Sequence, residues 1–243
     1  MKKIHFEEID STNLYLKNNY KNLDNFTFVS ADYQNKGRGR YDRIWSSKKG
    51  DNLLFSFLIK DKSLIEKYSS ISLLIAAVIL KEIRLLGINN VSIKWPNDVY
   101  IDNNKVSGIL LEGISTSENI DALIVGVGIN VNQKEFEKEL KATSLAINLK
   151  TPINLSSFKE SLFKSLIFEL NLLKENKSDY LEIVKNNNYL KNKICNATYQ
   201  NKIIEIEVID VNVDNTLKVK YKGSYLNINS GEITFSNKEK GRS

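Results

Sequence analysis

Lys94-Trp95-Pro96-Asn97-Asp98 is the stretch that decides how this chain is read. Lys94 ends a short strand pattern that begins at Val91. Pro96 then stops it, because proline has no N–H to give to a sheet and restricts the residue before it. A turn that starts with a lysine and carries an amide and a carboxylate can aim several polar groups into one cleft. The same residues also suit a plain turn with a core tryptophan. Taken alone, the five residues leave both readings open.

The flanks organise the rest. Val99 to Ile101 and Val106 to Ile114 read as a hairpin around Asp102-Asn103-Asn104, and Ala122 to Val131 as a further buried strand. Upstream, Asp10-Ser11-Thr12-Asn13 looks like a helix start. Phe26 to Tyr33 and Asn52 to Lys60 read as strands on either side of a long polar loop through Gly50. Ser63-Leu64-Ile65-Glu66 fits a capping box before a helix ending near Gly87. Ser156 to Lys174 has helical periodicity in Phe158, Leu162, Leu166 and Leu170. The character then changes. Ile204, Ile206 and Val208 alternate with Glu205 and Glu207, and short strands follow at Leu217 to Tyr221, Tyr225 to Ile228 and Glu232 to Phe235. Short, closely spaced strands indicate a small β-barrel. The boundary falls near Tyr189 to Lys193, giving domains 1–190 and 191–243.

Composition excludes several classes. At 243 residues the chain has room for a sizeable core, and 42% hydrophobic with 26% charged residues is a globular balance rather than a disordered one. The net charge of +6 comes from lysines spread along the chain. It suits a solvated surface, or one that meets ATP, an acidic partner or nucleic acid. A single cysteine, Cys195, forbids an intramolecular disulfide and reads as an ordinary buried or half-buried thiol. His5 is the lone histidine, which leaves no Ser-His or Cys-His catalysis unless His5 itself serves. Met1 to Glu8 is not a signal peptide, and the apolar run Leu73 to Leu80 is too short to span a bilayer. A cytoplasmic protein that spans no membrane is expected.

Three further segments carry chemistry. Gln34-Asn35-Lys36-Gly37-Arg38-Gly39-Arg40 combines glycines that let backbone approach a ligand with two guanidinium forks. It occurs once, between two apolar strands, which favours an anion-binding loop over an RNA-binding tail. Asn104-Lys105-Val106-Ser107-Gly108-Ile109-Leu110 puts a lysine before a glycine-containing strand, where a ligand or backbone can come close. A surface hairpin lysine is the plainer reading. Gly126-Val127-Gly128-Ile129-Asn130-Val131-Asn132 could pass beneath a flat ring. It lacks the third glycine and following helix of a dinucleotide fingerprint.

In order and spacing these segments resemble the biotin–protein ligase family. The resemblance runs from Ser11-Thr12-Asn13 through all four segments to Ala142-Thr143-Ser144-Leu145 and Gly231-Glu232-Ile233, nearly the whole chain. It implies an α/β (α+β) catalytic domain similar to class II aminoacyl-tRNA synthetases, followed by a small SH3-like β-barrel. It also implies ATP and biotin as substrates, Mg²⁺ with ATP, and biotinyl-5′-AMP as intermediate. The partner implied is a biotin carboxyl carrier domain whose lysine is modified. The family's optional N-terminal DNA-binding domain is expected to be absent, so no specific nucleic-acid partner is expected. A homodimer is left open, and metal ligands are unknown.

Carried over by position, the resemblance assigns catalysis to Arg38, Arg40, Lys94, Asp98 and Lys105. Biotin binding falls to Ser11, Thr12, Asn13, Gln34, Gly37, Arg38, Gly39, Arg40, Lys105 and Gly108. ATP binding falls to Arg38, Arg40, Trp45, Lys94, Asn97, Lys105, Asn130 and Thr143. Asp98 is expected to accept the proton of the incoming lysine amine. Ser230-Gly231 stands where two glycines are common in the family. Lipoate ligases share the fold and the adenylation chemistry, but carry a differently built glycine-rich loop with a histidine downstream. A basic nucleic-acid-binding protein is the non-enzyme rival, and it would not explain Lys94 to Asp98.

Overall fold

Large apolar side chains on one face of a seven-stranded sheet draw the two long helices to that side. The computed structural model describes residues 2–116 and 119–235, apart from the side chain of Asp42. The strands are β1 (Lys3–Ile9), β2 (Phe28–Gln34), β3 (Leu53–Ile59), β4 (Val91–Lys94), β5 (Asp98–Ile101), β6 (Asn104–Ser115) and β7 (Ile120–Ile129), in the order β1-β2-β3-β7-β6-β5-β4. Only β1 and β2 run parallel.

Successive side chains of a strand point to opposite faces. Phe55, Phe57 and Ile59 of β3 and Leu123, Val125, Val127 and Ile129 of β7 therefore share one side. There they meet α3 (Tyr68–Leu85) and α5 (Leu155–Lys174) in the main core. Phe28 of β2 packs on Phe163 of α5 with ring centroids 4.3 Å apart. The residues in between face the other way. Leu58, Ala122 and Ile124 form a smaller cluster with Leu16 of α1 (Thr12–Asn19). This second face is only partly covered, and the candidate site occupies the remainder.

One expectation needs correction. Ser63 does not start the helix. Asp61 is the N-cap of a short α2 (Lys62–Ile65), which ends before α3 begins. The Asp61 carboxylate accepts both the Ser63 backbone N–H at 3.0 Å and the Ser63 hydroxyl at 2.6 Å, so that hydroxyl is already used. The Lys174 ammonium at 2.6 Å, and then Ser63, hold the Asp61 carboxyl below its usual range. A carboxyl depressed on folding stabilises above its unfolded value and loses that contribution as pH falls through the folded one. Asp61→Ala is thus expected to cost about 1 kcal/mol at neutral pH, as a lost cap does. In urea unfolding, the gap from the wild type should close once pH drops well below about 4.

After α4 (Leu145–Leu149), α5 and α6 (Tyr180–Asn186), the chain enters a second, antiparallel sheet. It comprises β8 (Ile194–Tyr199), β9 (Lys202–Val211), β10 (Leu217–Tyr221), β11 (Ser224–Ile228) and β12 (Ile233–Phe235), in the order β11-β10-β9-β8-β12. β8, α4, α6 and β1 had no clear signal in the sequence. Cys195 lies on β8 and is buried, as expected. The turn between β9 and β10 fastens the second sheet to the first. Asn215 accepts the Trp95 indole N–H on its carbonyl at 3.0 Å and the Tyr180 hydroxyl on its side chain at 2.7 Å, and its amide reaches Ser70 at 3.2 Å. Trp95 is only 2% exposed, so this tryptophan is a core residue at the edge of the site. Residues 236–243, at the end of the expected second domain, lie outside the described residues. Among the described residues, no helix is long and apolar enough to cross a membrane.

Candidate active site

Cross-strand register builds the floor of the site. Lys94 pairs with Asp98, Asp98 with Gly108, Gly108 with Gly128, and Gly128 with Leu54. Directly opposed residues share a face. These five therefore form one row across the sheet, on the side away from α3 and α5. Two residues further along, Leu110, Gly126 and Ser56 make a second row, and Glu112 and Ile124 belong to a third. Adjacent rows stand about 7 Å apart.

A bulge brings Lys105 to this face. Strict pairing would set Val106 opposite Tyr100. The register slips between Val99 and Tyr100, so Lys105 takes that place and Val106 turns into the core. An extra residue in one strand is a common way to re-aim a side chain. Lys105 Nζ ends 2.7 Å from Asp98 Oδ1 and 5.5 Å from the centre of the Trp45 ring.

The start of α1 supplies neutral polar groups at the second row. Ser11 caps the helix, accepting the Leu14 N–H at 3.4 Å. The Thr12 N–H donates to Gln34 Oε1 at 2.8 Å, Thr12 and Ser56 hydroxyls meet at 2.6 Å, and the Ser56 hydroxyl donates to Asn13 Oδ1 at 2.5 Å. The Asn13 amide donates at 2.6 Å to Glu112, a carboxylate lying behind it. Gly126 is necessary here, because a Cβ on it would overlap the Asn13 amide.

The arginine segment doubles back on itself. Gly39 N–H donates to Arg43 O at 2.7 Å and Trp45 N–H to Gly37 O at 3.0 Å. Arg40 donates to Asn97 Oδ1 at 3.2 Å and to Ser230 O of the second sheet at 2.5 Å, which ties the loop to both sheets. Arg38 stands 3.7 Å from Glu112. The Trp45 indole lies across two glycines of the floor. A Cβ on Gly128 would come 2.8 Å from its Nε1, and one on Gly108 2.9 Å from its Cζ3. That buried Nε1 has no hydrogen-bond partner among the described residues.

These parts enclose a cavity of about 490 Å³, within the range of small-molecule sites. The expected residues meet there. Ser11, Thr12, Asn13 and Gln34 line one end, and Arg38, Gly39, Arg40 and Trp45 the overlying loop. Lys94, Asn97, Asp98, Lys105, Gly108 and Asn130 come from the sheet side. Two expected residues are not in the wall. Gly37 sits under the Trp45 backbone, where a Cβ would meet the Trp45 carbonyl at 2.5 Å. Thr143 is buried behind Asn130, whose amide it accepts at 3.1 Å, and its N–H donates to Lys105 O at 3.0 Å. Both shape the site from outside. His5 stays on β1 beside Ser30 and Asp32 and does not line the cavity. Ser56, Gly126, Tyr100 and Phe235 line it without having been singled out as site residues. Only Gly126 had a visible signal, the glycine pair on its strand.

Residues 5–130, from β1 past the end of β7, match the sequence model of the biotin/lipoate A/B protein ligase family. The chain belongs to this family. Among solved members, the biotin protein ligase of Aquifex aeolicus in complex with biotin and ATP is 30% identical and superposes with a TM-score of 0.84, covering 97% of this chain and 98% of that one. The bifunctional ligase/repressor BirA of Bacillus subtilis is 38% identical over 124 residues, 49% of this chain and 38% of that protein. The Escherichia coli BirA is 33% identical over 162 residues, 67% of this chain and 50% of that protein. The chain thus spans half or less of the length of these curated relatives. The family match covers the first sheet and the loops that form most of the cavity, and the likeness to the Aquifex aeolicus structure extends over the second sheet as well.

Proposed function

We propose that this chain is a biotin–protein ligase. It activates biotin with ATP to biotinyl-5′-AMP, then passes the biotinyl group to a lysine of a biotin carboxyl carrier domain. The observation that carries this reading is the position of Lys105. Its ammonium shares one cavity with a neutral hydrogen-bonding end built from Thr12, Asn13 and Gln34, and stands beside the Trp45 indole that lies on Gly108 and Gly128. A cyclic urea suits the neutral end, the indole offers a face to a nucleotide base, and the reacting anions meet at Lys105.

In the first step a biotin carboxylate oxygen bonds to the α-phosphorus of ATP, and the bond to the bridging oxygen breaks, releasing pyrophosphate. Two anions must approach, so fixed positive charge in an enclosed site lowers the barrier. Lys105 supplies it at the carboxylate and α-phosphate, with Arg38 and Arg40 from the loop and Lys94 one strand beyond Asp98. Trp45, Asn97 and Asn130 enclose the adenylate. In the second step the acceptor amine bonds to the carbonyl carbon, AMP leaves, and Asp98 takes the amine's proton. Mg²⁺ arrives with ATP. Among the described residues no three His, Cys, Asp or Glu side chains converge to hold a metal alone. Residues 1–190 form the biotin- and ATP-binding domain and 191–243 the small β domain.

Incubation with biotin, ATP, Mg²⁺ and an isolated carrier domain tests the proposal. Mass spectrometry should show one added biotinyl group, and substituting the carrier's target lysine by arginine should abolish it. A carrier that gains no biotinyl group would contradict the reading.

A further inference from the structure

The polar end of the cavity is a chain of hydrogen bonds, and it terminates at a carboxylate the mechanism does not use. Glu112 sits on β6 four residues beyond Gly108, on the same face. Its Oε2 accepts from Asn13 Nδ2 at 2.6 Å, and its Oε1 lies 3.7 Å from Arg38 NH1. It does not line the cavity itself.

A carboxylate accepts hydrogen bonds and donates none. The Asn13 atom facing it must therefore be the NH₂, which leaves Oδ1 facing Ser56. The Ser56 hydroxyl donates to that oxygen at 2.5 Å, so its proton is committed. In the 2.6 Å contact between Thr12 and Ser56, Thr12 is then the donor, and it shares that one proton with Gln34 Oε1, 3.1 Å away. Gln34 Oε1 is held by the Thr12 backbone N–H at 2.8 Å, which leaves the Gln34 NH₂ as the end of that amide turned away from Thr12. One charge thus orders every donor and acceptor along the chain Glu112, Asn13, Ser56, Thr12.

We infer that Glu112 is a positioning residue that sets the hydrogen-bond polarity of the acid-binding end and ties it to the arginine loop through Arg38. This rests on the proposed function for its substrate. A ligand ring carrying both N–H donors and a carbonyl acceptor needs a pocket whose polarity does not fluctuate. An amide in place of Glu112 has the same shape but can donate as well as accept. It would let the Asn13 amide turn over, and would remove the charge that faces Arg38.

The test is Glu112→Gln in the full chain, measured by biotin-dependent exchange of labelled pyrophosphate into ATP. The KM for biotin should rise roughly tenfold or more, as for loss of a charge-assisted hydrogen bond. Tm should stay close to wild type, and kcat and the KM for ATP should change less than the KM for biotin. An unchanged biotin KM would overturn the inference, as would a fall in Tm with parallel changes in all the constants, which is the mark of a merely structural role. Hydrogen exchange of residues 37–45 without any ligand gives a readout independent of biotin chemistry. It should quicken in Glu112→Gln, and unchanged exchange would overturn the link to the loop. If the wild type itself shows no biotin-dependent exchange, the proposed function fails, while the loop measurement still decides the role of Glu112.

Discussion

Lys105→Ala should cut biotinyl-5′-AMP formation by roughly a hundredfold to a thousandfold, the cost of removing one preorganised donor from a site of developing charge. The expectation comes from placement. The bulge after Val99 turns Lys105 out of the core register and onto the floor between Gly108 and Asp98. Among the described residues no other ammonium reaches that point along the row, since Lys94 lies on the far side of Asp98. The side chain is 31% exposed and makes its ion pair at the cavity wall, so truncating it should leave the fold intact. Pyrophosphate release by the purified variant, with Tm as a folding control, measures the effect. A variant that forms adenylate at the wild-type rate would remove Lys105 from the centre of the mechanism. Lys105→Arg keeps the charge but not its shape, and should recover part of the activity.

Asp98→Asn is expected to impair the second step more than the first. The ion pair complicates any simple division of labour. With Nζ 2.7 Å from Oδ1, Asp98 holds Lys105 in place as well as facing the site. An amide oxygen can still accept from the ammonium, more weakly, so adenylate formation should fall by roughly tenfold. Neutral amides do not accept a proton from an attacking amine. Transfer from preformed biotinyl-5′-AMP to a carrier domain should therefore fall by roughly a hundredfold or more, the usual range for a lost general base. Measuring the two steps separately distinguishes the roles. Equal losses in both would mean that Asp98 only positions Lys105.

The sequence made the two-part architecture and most of the cavity legible for a physical reason. Strand alternation and turn residues are local, so β3, β5, β6, β7 and the small strands after Lys202 could be placed from pattern alone. Glycines on β6 and β7 announced a close approach, and the structure shows Asn13 and Trp45 lying on Gly126 and Gly128. What stayed hidden depends on partners distant in the chain. Ser56 sits in the apolar run of β3 and looks like a weak point in a core strand until Thr12 and Asn13 arrive from α1. Glu112 reads as an ordinary polar residue on a half-exposed strand. The capping box at Ser63 failed because a competing carboxylate, Asp61, sits two residues upstream. Trp95 belonged to both readings of its turn. It is a core residue, fastened by Asn215 from 120 positions away.

The most direct measurement of the central claim is adenylate formation by the purified chain with ATP and Mg²⁺, supplied with biotin or lipoate in parallel and read by mass spectrometry. The account predicts biotinyl-5′-AMP and pyrophosphate with biotin, and no adenylate with lipoate. Lipoyl-AMP without biotinyl-5′-AMP, or no adenylate from either acid, would contradict it.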